Sequence, residues 1–228
     1  MILSILILAG CNVRTLENIK EENISVKKDS IESLNVNLNL GKGSLNVSNG
    51  ASDLLNGTVK YNKKHKPIIE YNRTQNEGTV NIKEPSEFRI GTVKNNWNIK
   101  LTNKLPINLS VNTGASQANL DLKYLKIKKL TINTGVGEMK VDLNGNWENS
   151  FDATIQTGVG KSTFILPNDV GVKIISEKGI GTVDYVGLIS KGKGVYVNKK
   201  YNHSNVLITI HTKLGIGQVT FESKKDGF

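Results

Sequence analysis

Hydrophobic and polar residues alternate along this chain in short runs that are interrupted at pairs of glycines. In LTINTGVGEMKVDL, which starts at Leu130, apolar positions recur at every second residue up to Val136 and resume at Met139. Because side chains in a strand alternate between two faces, a step of three means that one extra residue enters beside Gly137. The pattern therefore predicts a strand, a bulge or corner at the glycines, and a second strand.

The same pattern occurs six times. Every copy carries the step of three, and glycine suits a corner because it adopts positive φ angles without a steric cost. The residue between the two corner positions continues the apolar alternation, so we predict that it faces the core. Ser116 replaces the second glycine in one copy. The corner glycines are Gly41, Gly43, Gly114, Gly135, Gly137, Gly158, Gly160, Gly179, Gly181, Gly215 and Gly217.

The spacing of these corners predicts an all-β protein in two parts. Between residues 31 and 104, short runs separated by turn formers indicate a mostly antiparallel β module, with Trp97 on its buried strand. From 105 to 222 the first corner glycines follow at intervals of 21, 23 and 21 residues. A fixed period of this size is typical of a β-solenoid, a parallel β-helix-like stack in which each turn lies on the one before. The longer last interval predicts an inserted hairpin at 186–205, and the charged tail at 223–228 is a candidate cap.

Residues 1–11 have the features of a bacterial lipoprotein signal peptide. Cys11 is the only cysteine and follows ten largely apolar residues, fewer than the about 20 that a membrane-spanning helix needs. Leu8, Ala9 and Gly10 match the lipobox, in which the cysteine thiol takes a diacylglycerol. We therefore predict a lipid anchor at the extracytoplasmic face of the cell membrane, followed by a flexible tether over 12–30. An N-terminal strand with a buried cysteine is the alternative.

The net charge of +10 is spread along the chain. Residues 31–104 and 105–228 each carry a balance of +5, which favours solubility, with an anionic envelope component as an alternative reason. Lysine clusters at 63–66 and 126–129 are the candidate contact points. Nucleic-acid binding favours aromatic residues interleaved with basic ones on one face, and aromatic residues make up only 6% of the chain, so we predict no nucleic-acid binding. The oligomeric state is left open.

No motif predicts an enzyme, a cofactor or a metal site. TGVGKST at 157–163 resembles the end of a phosphate-binding loop, but Ile155 stands where the first glycine is required, and the residues after the motif alternate as in a strand. His65, His203 and His211 are scattered and have no cysteine at a ligand spacing. The carboxylates are mostly single, so no acid and base pair is indicated.

Three segments carry a resemblance to a known family: GKGSLNV, WNIKLTNKLPINLSVNTGASQANLDL and LKIKKLTINTGVGEMKVDL. Over about residues 31–222 the chain resembles the bacterial toast-rack family, and its repeats are similar to the C-terminal domain of the LiaF-like cell-wall-active-antibiotic response proteins. The resemblance implies a single-chain right-handed β-solenoid preceded by an all-β module on the outer side of the membrane, and no catalytic residues. LiaF-like proteins also carry membrane-spanning helices and restrain an envelope-stress kinase, whereas this chain shows a lipobox.

Two functions of different classes are therefore expected. The first is a lipid-anchored, non-enzymatic surface protein whose β-solenoid is a structural or binding module of the bacterial envelope. The second is an accessory regulator of envelope-stress signalling, which would bind a membrane signalling protein such as a histidine kinase. Co-purification with a membrane kinase would favour the second.

Overall fold

The computed structural model describes residues 19–62, 65–85 and 95–223, which form a single mixed β-sheet of 14 strands. The all-β prediction is confirmed, since no α-helix occurs in these three ranges. None of their segments is a helix with the length and apolar character needed to cross a membrane. Leu8, Ala9, Gly10 and Cys11 of the predicted lipobox lie outside the described residues, as does the tail from residue 224.

The strands alternate with short turns from one end of the described chain to the other. They are β1 (Ile19–Val26), β2 (Ser33–Asn49), β3 (Leu55–Asn62), β4 (Ile68–Thr74), β5 (Glu77–Lys83), β6 (Asn96–Leu101), β7 (Pro106–Asp121), β8 (Lys126–Asp142), β9 (Phe151–Ile165), β10 (Gly171–Glu177), β11 (Ile180–Val186), β12 (Ile189–Gly192), β13 (Val195–Val197) and β14 (Leu207–Glu222).

Five long strands, β2, β7, β8, β9 and β14, lie side by side in parallel and pair over their whole length. Each of them passes through one glycine corner, which divides it into a first arm and a second arm. Two further rungs are split at the corner: β5 pairs with the first arm of β2 and β6 with its second arm, while β10 and β11 pair in the same way with β14. The protein is therefore a parallel stack of seven rungs.

The order of the rungs differs from the order of the copies in the sequence. The strand β14, although last in the chain, lies between β9 and the split rung of β10 and β11. The expectation that each turn lies on the one before it is thus wrong for the last two copies. The physical reason is the hairpin of β12 and β13, because β13 pairs with the outer edge of β10 and leaves no room there for another rung.

The corner glycines form two columns that run through the stack. In the first column, a Cβ placed on Gly135 would lie 2.6 Å from the carbonyl oxygen of Gly114 on the neighbouring rung. In the second column, φ is +136° at Gly137, and a Cβ there would overlap the carbonyl oxygen of Ser116. A side chain is therefore excluded at Gly135 and at Gly137, where neighbouring backbones approach each other too closely, whereas Ser116 in the second column carries one.

The residue between the two corner positions faces solvent, so the prediction that it faces the core is wrong. In β14, Leu214 is buried before the corner, Ile216 is exposed between the glycines, and Val219 is buried again. The alternation therefore changes at the first glycine, before Ile216 rather than after it. Glycine permits this change because it has no side chain to place on either face. The residues concerned are Lys42, Ala115, Val136, Val159, Ile180 and Ile216.

The core lies between the two arms of the stack and consists of apolar columns that pass from rung to rung. Trp97, predicted to be on a buried strand, is fully buried. Phe164 and Phe221 stack in the second arm with ring centroids 5.0 Å apart, and Tyr185 stacks on Phe221 at 5.5 Å. On the outer face of the first arm, the side-chain amide of Asn112 donates to Asn39 at 2.8 Å. Apolar packing inside and amide bonding outside therefore both link successive rungs.

Part of the predicted tether belongs to the sheet. Residues 19–26 form β1, which pairs antiparallel with β3 along its full length, from Ile19 opposite Asn62 to Val26 opposite Leu55. The prediction of a flexible tether over 12–30 is therefore wrong for these eight residues. The prediction failed because the sequence IKEENISV is mostly polar, and only Ile24 and Val26 are buried in this edge strand. Residues 12–18 lie outside the described part.

We predict that Gly137→Val lowers the free energy of unfolding by more than about 2 kcal/mol. Valine tolerates the φ of +136° poorly, and its Cβ would overlap the backbone of Ser116. Urea unfolding followed by circular dichroism measures the effect. Ser116→Val is the matched control, since Ser116 lies opposite Gly137 in the ladder but has no positive φ and already carries a Cβ, and its midpoint should stay near that of the unsubstituted chain. An unchanged midpoint for Gly137→Val would contradict the prediction.

Candidate functional site

The exposed residues between the corner positions form a continuous apolar line, which we call the corner ridge. In spatial order its members are Ala115, Val136, Val159, Ile216 and Ile180. Val136, Ile216 and Ile180 are 56%, 52% and 73% exposed. With rungs about 4.8 Å apart, the five residues extend over about 19 Å. Aligned apolar side chains in water are a feature of interaction surfaces rather than of an ordinary soluble face.

The corner ridge is held rigidly by the glycine columns on either side of it. Val136 and Val159 are opposite each other in the parallel ladder, as are Gly137 and Gly160 next to them. Because the neighbouring backbones approach closely at these glycines, the β-branched side chains between them are fixed at the spacing of the rungs. The sequence predicted the corners but missed the ridge, although apolar residues at a position between two glycines were the available signal.

A row of polar side chains follows the ridge on the second arm. Gln117, Glu138, Lys161 and Gln218 occupy the same position on successive rungs. Lys161 is the lysine of the segment that resembles a phosphate-binding loop, and here it lies within β9, a strand that continues to Ile165. A phosphate-binding loop needs a helix after the lysine, so this segment is a rung of the sheet and not a nucleotide site.

A cavity of about 650 Å³ lies on the loop side of the stack, and we call it the loop-side cavity. Lys126 and Lys128, two members of a predicted lysine cluster, line it together with Tyr124 and Glu148. Tyr124 is 65% exposed and has a φ of 63°, so its backbone turns in the left-handed region to present the ring. Trp147 forms the floor and donates from Nε1 to the carbonyl oxygen of Leu143 at 2.7 Å.

The titratable groups with shifted pKa values are structural partners. Burial raises the pKa of Tyr61 to about 12, assisted by the hydrogen bond that its hydroxyl donates to the carboxylate of Glu22. The pKa of Glu22 is lowered, chiefly by its contact with Lys66 at 2.7 Å. Burial also raises the pKa of Tyr71 to about 12, and this hydroxyl donates to Asp29 at 2.7 Å. The first pair links β3 to β1, and the second links β4 to the segment between β1 and β2.

The described residues contain no arrangement typical of a metal site or of nucleophilic catalysis. Within them, no three His, Cys, Asp or Glu side chains are grouped in a way that could hold a metal ion. His211 is exposed on the first arm of β14, where its imidazole faces away from the core. Asp142 is 3.4 Å from the ammonium of Lys123 and raises the pKa of that lysine.

Comparison with known proteins places the chain among domains of the same architecture. A family model described as the N-terminal domain of toast_rack, DUF2154, matches residues 15–165. A candidate cell adhesion protein of Clostridium sporogenes, solved by crystallography, is 33% identical with a TM-score of 0.87, and the match covers 90% of this chain and 100% of that chain. No curated protein matches the sequence.

Two more distant solved structures are candidate adhesins. One is from Bacteroides fragilis, with 11% identity, a TM-score of 0.32 and coverage of 89% of this chain and 96% of that chain. The other is from Parabacteroides merdae, with 14% identity, a TM-score of 0.29 and coverage of 91% of this chain and 97% of that chain.

We predict that the protein loses stability as the pH rises from about 10 to about 12 and that Tyr61→Phe reduces this loss. The folded pKa of about 12 is higher than the ordinary value of 10.0, so the folded state holds the proton that the unfolded chain releases. This contribution is complete below pH 10 and is lost as the pH approaches 12. Urea midpoints at pH 8, 10 and 12 measure it, with the exposed Tyr124→Phe as control. Equal pH dependence in the three proteins would contradict the assignment.

Proposed function

The chain belongs to the toast-rack family, and from this premise we propose that it is a non-enzymatic binding module of the bacterial cell surface. The similarity over the full length of a candidate cell adhesion protein supports an adhesive role. The observation that carries the proposal is the corner ridge, because it is the longest aligned set of exposed apolar side chains on the described rungs. Its target is another component of the envelope.

We propose that the module binds through the rigidity of the stack. Each inner rung satisfies the backbone hydrogen bonds of its two neighbours along both arms. The corner ridge is therefore presented without a loss of conformational freedom on binding, which is the main cost that flexible binding loops incur. The polar row that includes Glu138 and Lys161 lies beside the ridge, where it can add directional contacts at the rim.

The finer architecture is also part of the proposal. We propose that the parallel rungs are successive turns of a right-handed β-solenoid, with the order of the last two turns exchanged. Support comes from the parallel pairing of β2, β7, β8 and β9 in chain order and from the general right-handedness of crossovers between parallel strands. Left-handed crossovers in a crystal structure of the chain would contradict this part of the proposal.

We propose that Cys11 carries the lipid that holds the module at the outer face of the membrane. Cys11→Ser is expected to leave the protein unlipidated and uncleaved, so that it no longer carries a diacylglycerol. Metabolic labelling with a radioactive fatty acid measures this, and Triton X-114 partitioning gives a second readout. Loss of label in Cys11→Ser with full label in Ser4→Ala, a control within the same leader, is the expected result. Label that persists in Cys11→Ser would exclude lipidation at this residue.

We predict that the double change Val136→Glu and Val159→Glu lowers adhesion at least about tenfold, because it buries charge at the centre of an apolar contact. The measurement is the retention of protein-coated beads on cells of the producing bacterium. His211→Glu, which adds the same side chain at an exposed position on the first arm, is the control. His211→Glu should unfold at the same urea concentration as the unsubstituted chain, and the double variant at a slightly lower one, because its two glutamates lie opposite each other in the ladder and repel.

Unchanged adhesion by the double variant would show that the corner ridge is not the contact surface. Recovery of a membrane histidine kinase with the unsubstituted chain, lost on deletion of residues 186–205, would instead support the regulator of envelope-stress signalling. The two outcomes are distinguishable because the ridge and that insertion are separate parts of the chain.

A further inference from the structure

The two ends of the stack are covered unequally. At the amino-terminal end, β4 pairs with the outer edge of β5, and β3 followed by β1 covers β6. At the other end, β13 followed by β12 covers β10. Among the described residues no strand pairs with the outer edge of β11, whose one partner strand there is β14. Each end of the stack is a split rung of two strands. Of these four terminal strands, β5, β6 and β10 are therefore covered by another strand, and β11 is open.

The open edge of β11 lacks the usual protection against pairing. Edge strands are commonly blunted by charged side chains or by being very short. The edge strand β1 carries the run Lys20, Glu21 and Glu22, and β12 has only four residues. In contrast, β11 has seven residues with the sequence IGTVDYV, of which one is charged. Ile180 at its start is 73% exposed.

We propose that a second copy of this chain docks on the edge of β11, with the two β11 strands antiparallel about a two-fold axis at Val183. In this register Ile180 lies opposite Val186 of the second copy, and Thr182 lies opposite Asp184. Ile180 and Val186 are both exposed large apolar residues, 73% and 42%, so each covers the other. The Thr182 hydroxyl can donate to the Asp184 carboxylate, and Val183 meets its own equivalent.

Charge favours this arrangement over a parallel one. A parallel in-register pair would place the two Asp184 carboxylates next to each other, and like charges at such positions are destabilising. The antiparallel pair separates them and gives each a hydroxyl partner. It is also closed, because a two-fold axis uses the same surface on both copies and leaves no further edge for a third. The occupant that matches the edge in length, apolar contacts and charge is therefore β11 itself.

The position of β11 connects this pairing with adhesion. This connection rests on the proposed function. In the order of the sheet, β11 is eight strand steps from β1, the strand nearest to the proposed anchor, or about 38 Å away. The open edge is thus remote from the anchored end of the stack. Copies on two facing membranes can pair through it.

Sedimentation velocity of the full chain with Cys11→Ser tests the pairing in solution. We expect a dimer for this protein, and a dissociation constant raised at least about tenfold by Ile180→Glu or by Val186→Lys. An equimolar mixture of the two variants should form the dimer again. In the mixed pair, the introduced glutamate of one copy faces the introduced lysine of the other across one contact, while the original apolar pair is kept at the other contact. This recovery is specific to the antiparallel register about Val183.

The matched control is Ile216→Glu, the same change at the equivalent corner position one rung inside the edge. This variant should remain dimeric. A monomer at all concentrations for the Cys11→Ser chain, dimers that persist in both edge variants, or a mixture that stays monomeric would each overturn the proposal. Far-ultraviolet circular dichroism identifies a variant that has lost its fold, and Thr182→Glu, which faces the Asp184 carboxylate of the second copy and should also weaken the dimer, then replaces it.

Vesicle clustering separates this inference from the proposed function. Phosphatidylcholine vesicles that carry the full chain, coupled at Cys11 to a maleimide lipid, should cluster, and Ile180→Glu should prevent clustering. Dimers in solution without clustering of vesicles would support the pairing and count against adhesion between copies on facing membranes. Adhesion to cells by a chain that is monomeric in solution would support the proposed function and overturn the pairing.

Discussion

The structure depends on the close approach of neighbouring backbones at the glycine corners. Hydrogen bonding fixes the rungs about 4.8 Å apart on both arms, so the corner that joins the arms must fit into the same spacing. A Cβ on Gly135 would lie 2.6 Å from the carbonyl oxygen of Gly114, which is closer than two such atoms can come. A side chain there would force the rungs apart and break ladder bonds on both arms together. The exclusion of side chains at the corner therefore keeps the apolar columns continuous from rung to rung.

Since β9, β14 and the rung of β10 and β11 have the same glycine corner, the corner alone does not decide the order in which these rungs stack. Gly217 fits beside Gly160 on one side and Gly181 fits beside Gly217 on the other, so these copies are locally equivalent. The order is decided by a structural element that fits only on a terminal rung. The hairpin of β12 and β13 lies on the outer edge of β10, and Tyr196 of β13 stacks on Tyr185 at 3.5 Å, which covers the end of the core. Because this hairpin occupies the outer edge of β10, the rung of β10 and β11 can only be terminal.

How much the sequence predicts depends on the range of the interaction. The strands on either side of each corner follow from local alternation, and so does the burial of Trp97, because both are properties of a few consecutive residues. The membership of β1 in the sheet does not follow from local alternation, since its partner residues 55–62 are far away in the chain and its own residues are mostly polar. The corner ridge was missed for a different reason: alternation predicts which side a residue faces only while the strand is straight, and Val136 lies at the bend.

Ile180 belongs both to the corner ridge and to the open edge, and the geometry of the pair decides whether these two surfaces compete. In the antiparallel register, Ile180 of one copy and Ile180 of the other lie at opposite ends of the paired strands. Six residues separate the positions 180 and 186, which corresponds to about 20 Å along a strand. The two ridges of a pair therefore do not meet, and only their last members take part in the contact. Val136 and Val159, at the middle of each ridge, stay exposed in the pair and can contact another component of the envelope at the same time.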